Sequence, residues 1–117
     1  MQHTFDIDIA AKYGVEEAIL LNYFDFWIQK NEANDRHFHD GLYWTYNSIK
    51  AFSALFPYMS AKKIRNALQK LEDAGLIFKG NFNDSTYDRT MWYTLTEKGK
   101  WIFPSGQMDA PKRANLQ

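Results

Sequence analysis

Two different hydrophobic patterns divide this chain. Over residues 15–30, Ile19, Leu20, Leu21, Tyr23, Phe24, Phe26, Trp27 and Ile28 surround most of a helical wheel. Only a narrow polar stripe through Asn22, Asp25 and Gln29 remains. The stretch has no Gly or Pro and follows Gly14, so it predicts one long helix. So much apolar surface needs cover on more than one side. Either the terminal segments of the same chain supply it, or a second copy does, meeting Leu20, Phe24, Trp27 and Ile28 in a homodimer. Ahead of this helix, Phe5, Ile7 and Ile9 alternate with Asp6 and Asp8 as in a short strand, while residues 8–13 read equally as a helical turn closed by Gly14.

The second half is patterned more sharply. Residues 31–41 are polar and aperiodic and read as a loop, and residues 42–44 as a short strand. Thr45 is the expected cap of a helix whose apolar face is Ile49, Phe52, Leu55 and Phe56, stopped by Pro57. Ser60 caps the next helix, residues 60–74, where Ile64, Ala67, Leu68 and Leu71 keep the 3.6-residue period and Gly75 ends it. Strands over 76–82 and 90–95 follow, joined by a run of turn formers. Helix, turn, helix and hairpin over residues 42–99 predict a winged helix-turn-helix. The expected fold is mainly α with a small β hairpin and an additional long N-terminal helix. Residues 1–103 would make a single domain, and residues 104–117, rich in Pro, Gly, Ala and polar residues, a flexible tail or linker.

Composition narrows the chemistry. Of 117 residues 45% are hydrophobic and 17% aromatic, enough for a core without disulfides or metal. There is no Cys, which removes thiolate catalysis and zinc–cysteine sites and suits a reducing compartment. No apolar run approaches the ~18 residues of a membrane span, so a cytoplasmic protein without membrane contact is expected. No phosphate-binding glycine loop, H-E-x-x-H helix or nucleophile elbow occurs. His37-Phe38-His39-Asp40 lacks a third placed ligand, so neither an enzyme, a cofactor nor a metal site is expected.

Fourteen basic residues balance fourteen acidic ones. Binding to nucleic acid would therefore rest on local charge. On the helix beginning at Ser60, Lys62, Asn66 and Gln69 lie opposite the core side, flanked by Lys63, Arg65 and Lys70. These types suit major-groove reading and phosphate neutralisation. Lys62 and Lys63 sit in the first turn and Glu72 and Asp73 in the last, so the charges oppose the helix macrodipole at both ends. A phosphate near the first turn would relieve that conflict. Asn47, Ser48 and Lys50 near the preceding helix start are further phosphate candidates. The hairpin loop sets Lys79 and Arg89 beside Asp84 and Asp88, leaving light contacts through Asn81, Asn83, Ser85, Thr86 or Tyr87. Trp27, Trp44, Trp92 and Trp101 are core residues by default, Trp92 being the best placed to stack on a base.

The segments Trp44-Thr45-Tyr46-Asn47-Ser48, Phe56-Pro57-Tyr58-Met59-Ser60, Ile64-Arg65-Asn66-Ala67-Leu68 and Leu71-Glu72-Asp73-Ala74-Gly75-Leu76-Ile77 resemble N-terminal winged-helix domains of phage and plasmid replication proteins, DnaD-like primosome domains among them. Tyr93-Thr94-Leu95-Thr96-Glu97-Lys98-Gly99 resembles winged helices more widely, transcription regulators included. The resemblance covers about half the chain. It implies binding of double-stranded DNA through the helix beginning at Ser60, often with self-association as a homodimer and contact with other replication proteins. In some such domains self-assembly is the main role, which leaves an interaction module without DNA binding, or a transcription regulator, as the alternatives.

Overall fold

Asp6 starts the first helix. Its carboxylate accepts the amides of Asp8 and Ile9 at 2.9 and 3.1 Å, which decides the strand-or-helix alternative in favour of α1 (Ile7–Tyr13). In the computed structural model, which describes residues 2–85 and 87–103, the chain then turns at Gly14 and runs straight into α2 (Val15–Ala33). Gly14 has φ +113, and a Cβ there would collide with the Glu17 carboxylate, so the sharp corner requires glycine.

The elements after α2 are β1 (Phe38–His39), β2 (Leu42–Tyr43), β3 (Thr45–Asn47), α3 (Ile49–Leu55), α4 (Ala61–Asp73), β4 (Ile77–Gly80), β5 (Met91–Leu95) and α5 (Glu97–Trp101). About half of the described residues are helical. Strands β1 and β2 pair antiparallel around Asp40-Gly41, both at positive φ. That is the geometry of a two-residue hairpin turn, in a stretch expected to be a loop. Strands β3, β5 and β4 form a second antiparallel sheet with β5 in the middle.

The fold is therefore mixed α/β with two small antiparallel sheets, where a mainly α chain with one hairpin was expected. Residues 45–47 explain the difference. Thr45 is not a helix cap but a buried strand residue opposite Tyr93, and the cap of α3 is Ser48, whose Oγ accepts the Ala51 amide at 3.1 Å.

Helix α2 runs through the middle of the core. Leu20, Leu21 and Phe24 are completely buried beneath α1, α4 and β5, and Phe24 stacks on Tyr93 at 5.2 Å. This overturns the expected partner surface. Leu20, Phe24 and Ile28 face their own chain's interior and cannot meet a second copy, and Trp27 is half-buried. Three neighbouring elements, α1, α4 and β5, cover most of this helix's apolar residues and leave Phe26 exposed.

Helix α4 ends in a Schellman arrangement, with the amides of Gly75 and Leu76 bonding the carbonyls of Glu72 and Leu71 at 3.0 Å. Helix α5 starts at Thr96, whose hydroxyl accepts the Gly99 amide and donates to the Gly75 carbonyl. A side chain on Gly99 would strike the Leu76 carbonyl, which fixes the close approach of α5 to the end of α4. Phe103 closes the core, and the tail expected over 104–117 lies outside the described residues.

Candidate nucleic-acid interface

Helix α4 separates its two faces cleanly. Ile64, Ala67, Leu68 and Leu71 are buried against α2 and α3, while Lys62, Lys63, Arg65, Asn66, Gln69, Lys70 and Asp73 are exposed. Ser60 caps the helix in extended conformation, its Oγ 3.1 Å from the Lys63 amide. Just before it stands the turn at Tyr58. There the His3 Nδ1 lies 2.7 Å from the Tyr58 hydroxyl and the imidazole packs 4.6 Å from Phe56. The N-terminal segment thus braces the start of α4, an arrangement that no local pattern announces.

The two ends of α4 resolve their charge conflict differently. At the C-terminal end the Lys98 ammonium donates to the Ala74 carbonyl at 2.8 Å, and Gln69 donates to the Asp73 carboxylate at 2.9 Å. A cation from α5 therefore answers the negative end of the dipole. The first turn holds Lys62 and Lys63 and no acidic residue, so the exposed amides and both ammonium groups bring positive charge to one spot. A phosphate oxygen placed there meets charge-assisted donors of both kinds.

Several expected contact residues have other duties. Asn47 is half-buried and donates to the Tyr23 hydroxyl at 2.9 Å, and burial raises that tyrosine's pKa despite the bond. Ser48 spends its hydroxyl on the α3 cap. The Lys70 ammonium lies 3.7 Å from where a Gly14 Cβ would stand, beside the buried Glu17. It is turned toward the α1–α2 corner rather than along the outer face. The Gln69 amide is held by Asp73, which also ends the exposed stripe with a negative charge. Lys62, Lys63, Arg65 and Asn66 are left as the outward group, with Lys50 and Arg89 exposed on α3 and the hairpin loop.

The loop between β4 and β5 is tied down internally. Asn83 donates to the carbonyls of Thr90 and Asp88 at 2.6 and 3.3 Å, and its own oxygen accepts the Trp92 indole N–H at 2.8 Å. The Asp88 carboxylate accepts the Thr90 amide at 2.9 Å, which lowers its pKa. Tyr87 at the tip is 91% exposed, and Thr86 lies outside the described residues.

Beneath this loop a second, smaller cluster covers the outer side of the β3–β5–β4 sheet. His39 stacks on Phe82 at 4.4 Å, Tyr46 meets Trp92 at 4.5 Å, and His37 lies 5.0 Å from Tyr46 and 5.4 Å from Trp92. Trp92 is thereby enclosed and unable to stack on a base. Burial, with Arg36 and His39 adding to it, lowers the His37 pKa. The histidine rings are packing partners of this cluster, and no group of three or more metal-ligating side chains is assembled among the described residues. The histidines were missed as structural groups because Phe82 and Trp92 stand far along the chain, whereas Asn83 bonds partners within its own hairpin. The Asp40-Gly41 pair beside Phe38 and Tyr43 was the available local signal.

Among the described residues no helix is long and apolar enough to cross a membrane. No protein-family model, curated protein or solved structure matches the chain.

Proposed function

We propose that this chain is a non-enzymatic winged helix-turn-helix module that binds double-stranded DNA, as part of a phage or plasmid replication protein. In this reading α3 and α4 are the helix-turn-helix, the β4–β5 loop is the wing, and α4 enters the major groove. The observation that carries it is the first turn of α4. Two lysines stand there against the helix's own dipole, on an exposed face that also presents Arg65 and Asn66.

Lys62 and Lys63 meet phosphate at the groove edge, Asn66 reaches a base, and Arg65 and Lys50 hold flanking phosphates. Arg89 adds a light contact from the wing. Gln69, Asn47 and Ser48 belong to the fold's own hydrogen bonding and Lys70 lies toward the α1–α2 corner, so in this reading they position α4 rather than touch DNA.

Salt-titrated binding to a mixed-sequence duplex tests this. Exchanging both Lys62→Glu and Lys63→Glu should lower affinity by more than about tenfold and flatten the log–log salt slope by about 2, since each phosphate contact contributes about 0.9. Unchanged affinity and slope in that variant would remove α4 from the interface.

A further inference from the structure

The two ends of α4 are held in unlike ways. At the C-terminal end Lys98 donates to the Ala74 carbonyl at 2.8 Å, the Thr96 hydroxyl to that of Gly75 at 2.6 Å, and the Thr96 amide to that of Leu76 at 3.1 Å. The N-terminal end, which carries Lys62 and Lys63, has fewer ties. Met59 and Ile64 hold it by burial, and the bonds of Met59 to Phe56 and of Lys63 and Ile64 to Ser60 stay within the turn and the helix. Among the described residues, the one hydrogen bond that reaches residues 57–63 from elsewhere in the chain comes from His3.

That contact is part of a continuous set made by residues 3–6. The His3 Nδ1 lies 2.7 Å from the Tyr58 hydroxyl, and because a phenol both donates and accepts, the bond forms with either imidazole tautomer. The same ring packs 4.6 Å from completely buried Phe56 and 5.7 Å from Tyr58. One residue on, the Thr4 hydroxyl accepts the Asn22 amide of α2 at 3.0 Å, and Asp6 caps α1. The segment is thus pinned to α1 and α2 at one end and to the α3–α4 turn at the other. In that turn the Met59 amide bonds the Phe56 carbonyl at 2.9 Å, which makes Pro57 and Tyr58 its two middle residues. Tyr58 is 55% exposed, so its own burial does little to fix the turn.

We propose that residues 2–6 are a strap that steers the N-terminal end of α4, with His3 as a positioning residue that acts through Tyr58. The helix has 13 residues, about 20 Å at 1.5 Å each, and its far end is anchored. A tilt of about 3° around that anchor moves the first turn by about 1 Å. By holding the turn that leads into the Ser60 cap, the strap sets where the free amides and the two lysines point. A surface ordered before it meets its ligand avoids the cost of ordering on binding. Thr4 and Phe5 are exposed, so the strap can be altered without opening the core. Its effect on DNA affinity rests on the reading of α4 as the groove helix, whereas the steering itself does not.

Amide hydrogen exchange on the full chain tests the steering. Tyr58→Phe removes a single oxygen and His3→Ala its partner ring. Each should speed exchange of the Lys63 and Ile64 amides by about three- to tenfold, the scale of one lost hydrogen bond, while the Leu76 and Thr96 amides at the anchored end keep their rates. His3→Asn, whose side-chain amide stands near the place of Nδ1, should restore most of the protection. The double variant His3→Ala with Tyr58→Phe should act no more strongly than His3→Ala alone, because both changes remove the same contact. Duplex affinity should fall by a similar factor with the salt slope unchanged, since the same phosphates are met by a less ordered helix end. Unchanged exchange at Lys63 and Ile64 in both single variants overturns the strap, as do effects that add in the double variant. Faster exchange with undiminished duplex affinity overturns the positioning role of His3 in binding. If the unaltered chain binds no duplex, the DNA reading falls, and the exchange comparison still decides the strap. Urea unfolding of each variant separates local loosening from lost folding.

Discussion

Helices α2 and α4 lie against each other and are built on opposite plans. In α4 the polar and apolar residues are cleanly separated, and the buried face is the one its period marks. In α2 apolar residues occur all round, Phe24 entirely enclosed and Phe26 only two positions later more than half exposed. The difference shows what hydrophobic pattern can convey. Where one face is polar, the period alone orients the helix against its core. Where nearly every face is apolar, orientation is decided by which neighbours arrive, and α1, α4 and β5 cover one side of α2 and leave the other.

The contrast can be broken most severely in the core. Phe24→Ala removes the ring stacked on Tyr93 and set edge-on to Phe52, and should cost about 3–5 kcal/mol in urea denaturation. Exchanging Lys62 and Lys63 for Glu should act in the other direction. It places two acids at the helix N-terminus and should stabilise the fold by roughly 0.3 to 1 kcal/mol per corrected charge. Loss of DNA binding together with a gain in stability would separate a contact role from a folding role, and a loss of both would not.

Lys98→Ala removes the cation from the Ala74 carbonyl at the opposite end of α4. It should destabilise by about 0.3–1 kcal/mol, less in high salt, with little change in DNA affinity.

The smallest effect is one of pH, and it belongs to the outer cluster. Because the His37 pKa is lowered on folding, the unfolded chain binds more protons below the ordinary histidine pKa of 6.5. The contribution of this cluster is complete above that value and declines as pH falls from it toward the lowered pKa. Thermal melts with tryptophan fluorescence between about pH 7.5 and pH 5 should show Trp92 becoming exposed at lower temperature on the acid side. Replacing His37 with Phe should remove that dependence.

Much of the candidate interface was legible because α4 is a local object. Its cap at Ser60, its stop at Gly75 and its exposed Lys62, Lys63, Arg65 and Asn66 follow from neighbours within a few residues along the chain. The remaining assignments depended on distant partners. Asn47 could be read as a phosphate donor until Tyr23 claimed its amide, and Lys70 as an outward cation until the α1–α2 corner came beside it. Likewise, the acidic last turn of α4 looked unanswered until Lys98 arrived from 24 residues further on.

By itself the sequence determined where most of the helices lie, the two-sidedness of α4 and the hairpin that follows it. Those features arise from backbone propensity, capping and periodicity, which act over a few residues. Only the tertiary structure decided that residues 45–47 join the hairpin as a third strand, that two histidines pack under its loop, and that Phe26 rather than Phe24 faces outward. Each of these depends on groups far apart in the chain competing to bury the same surface, and only close packing in three dimensions selects among them.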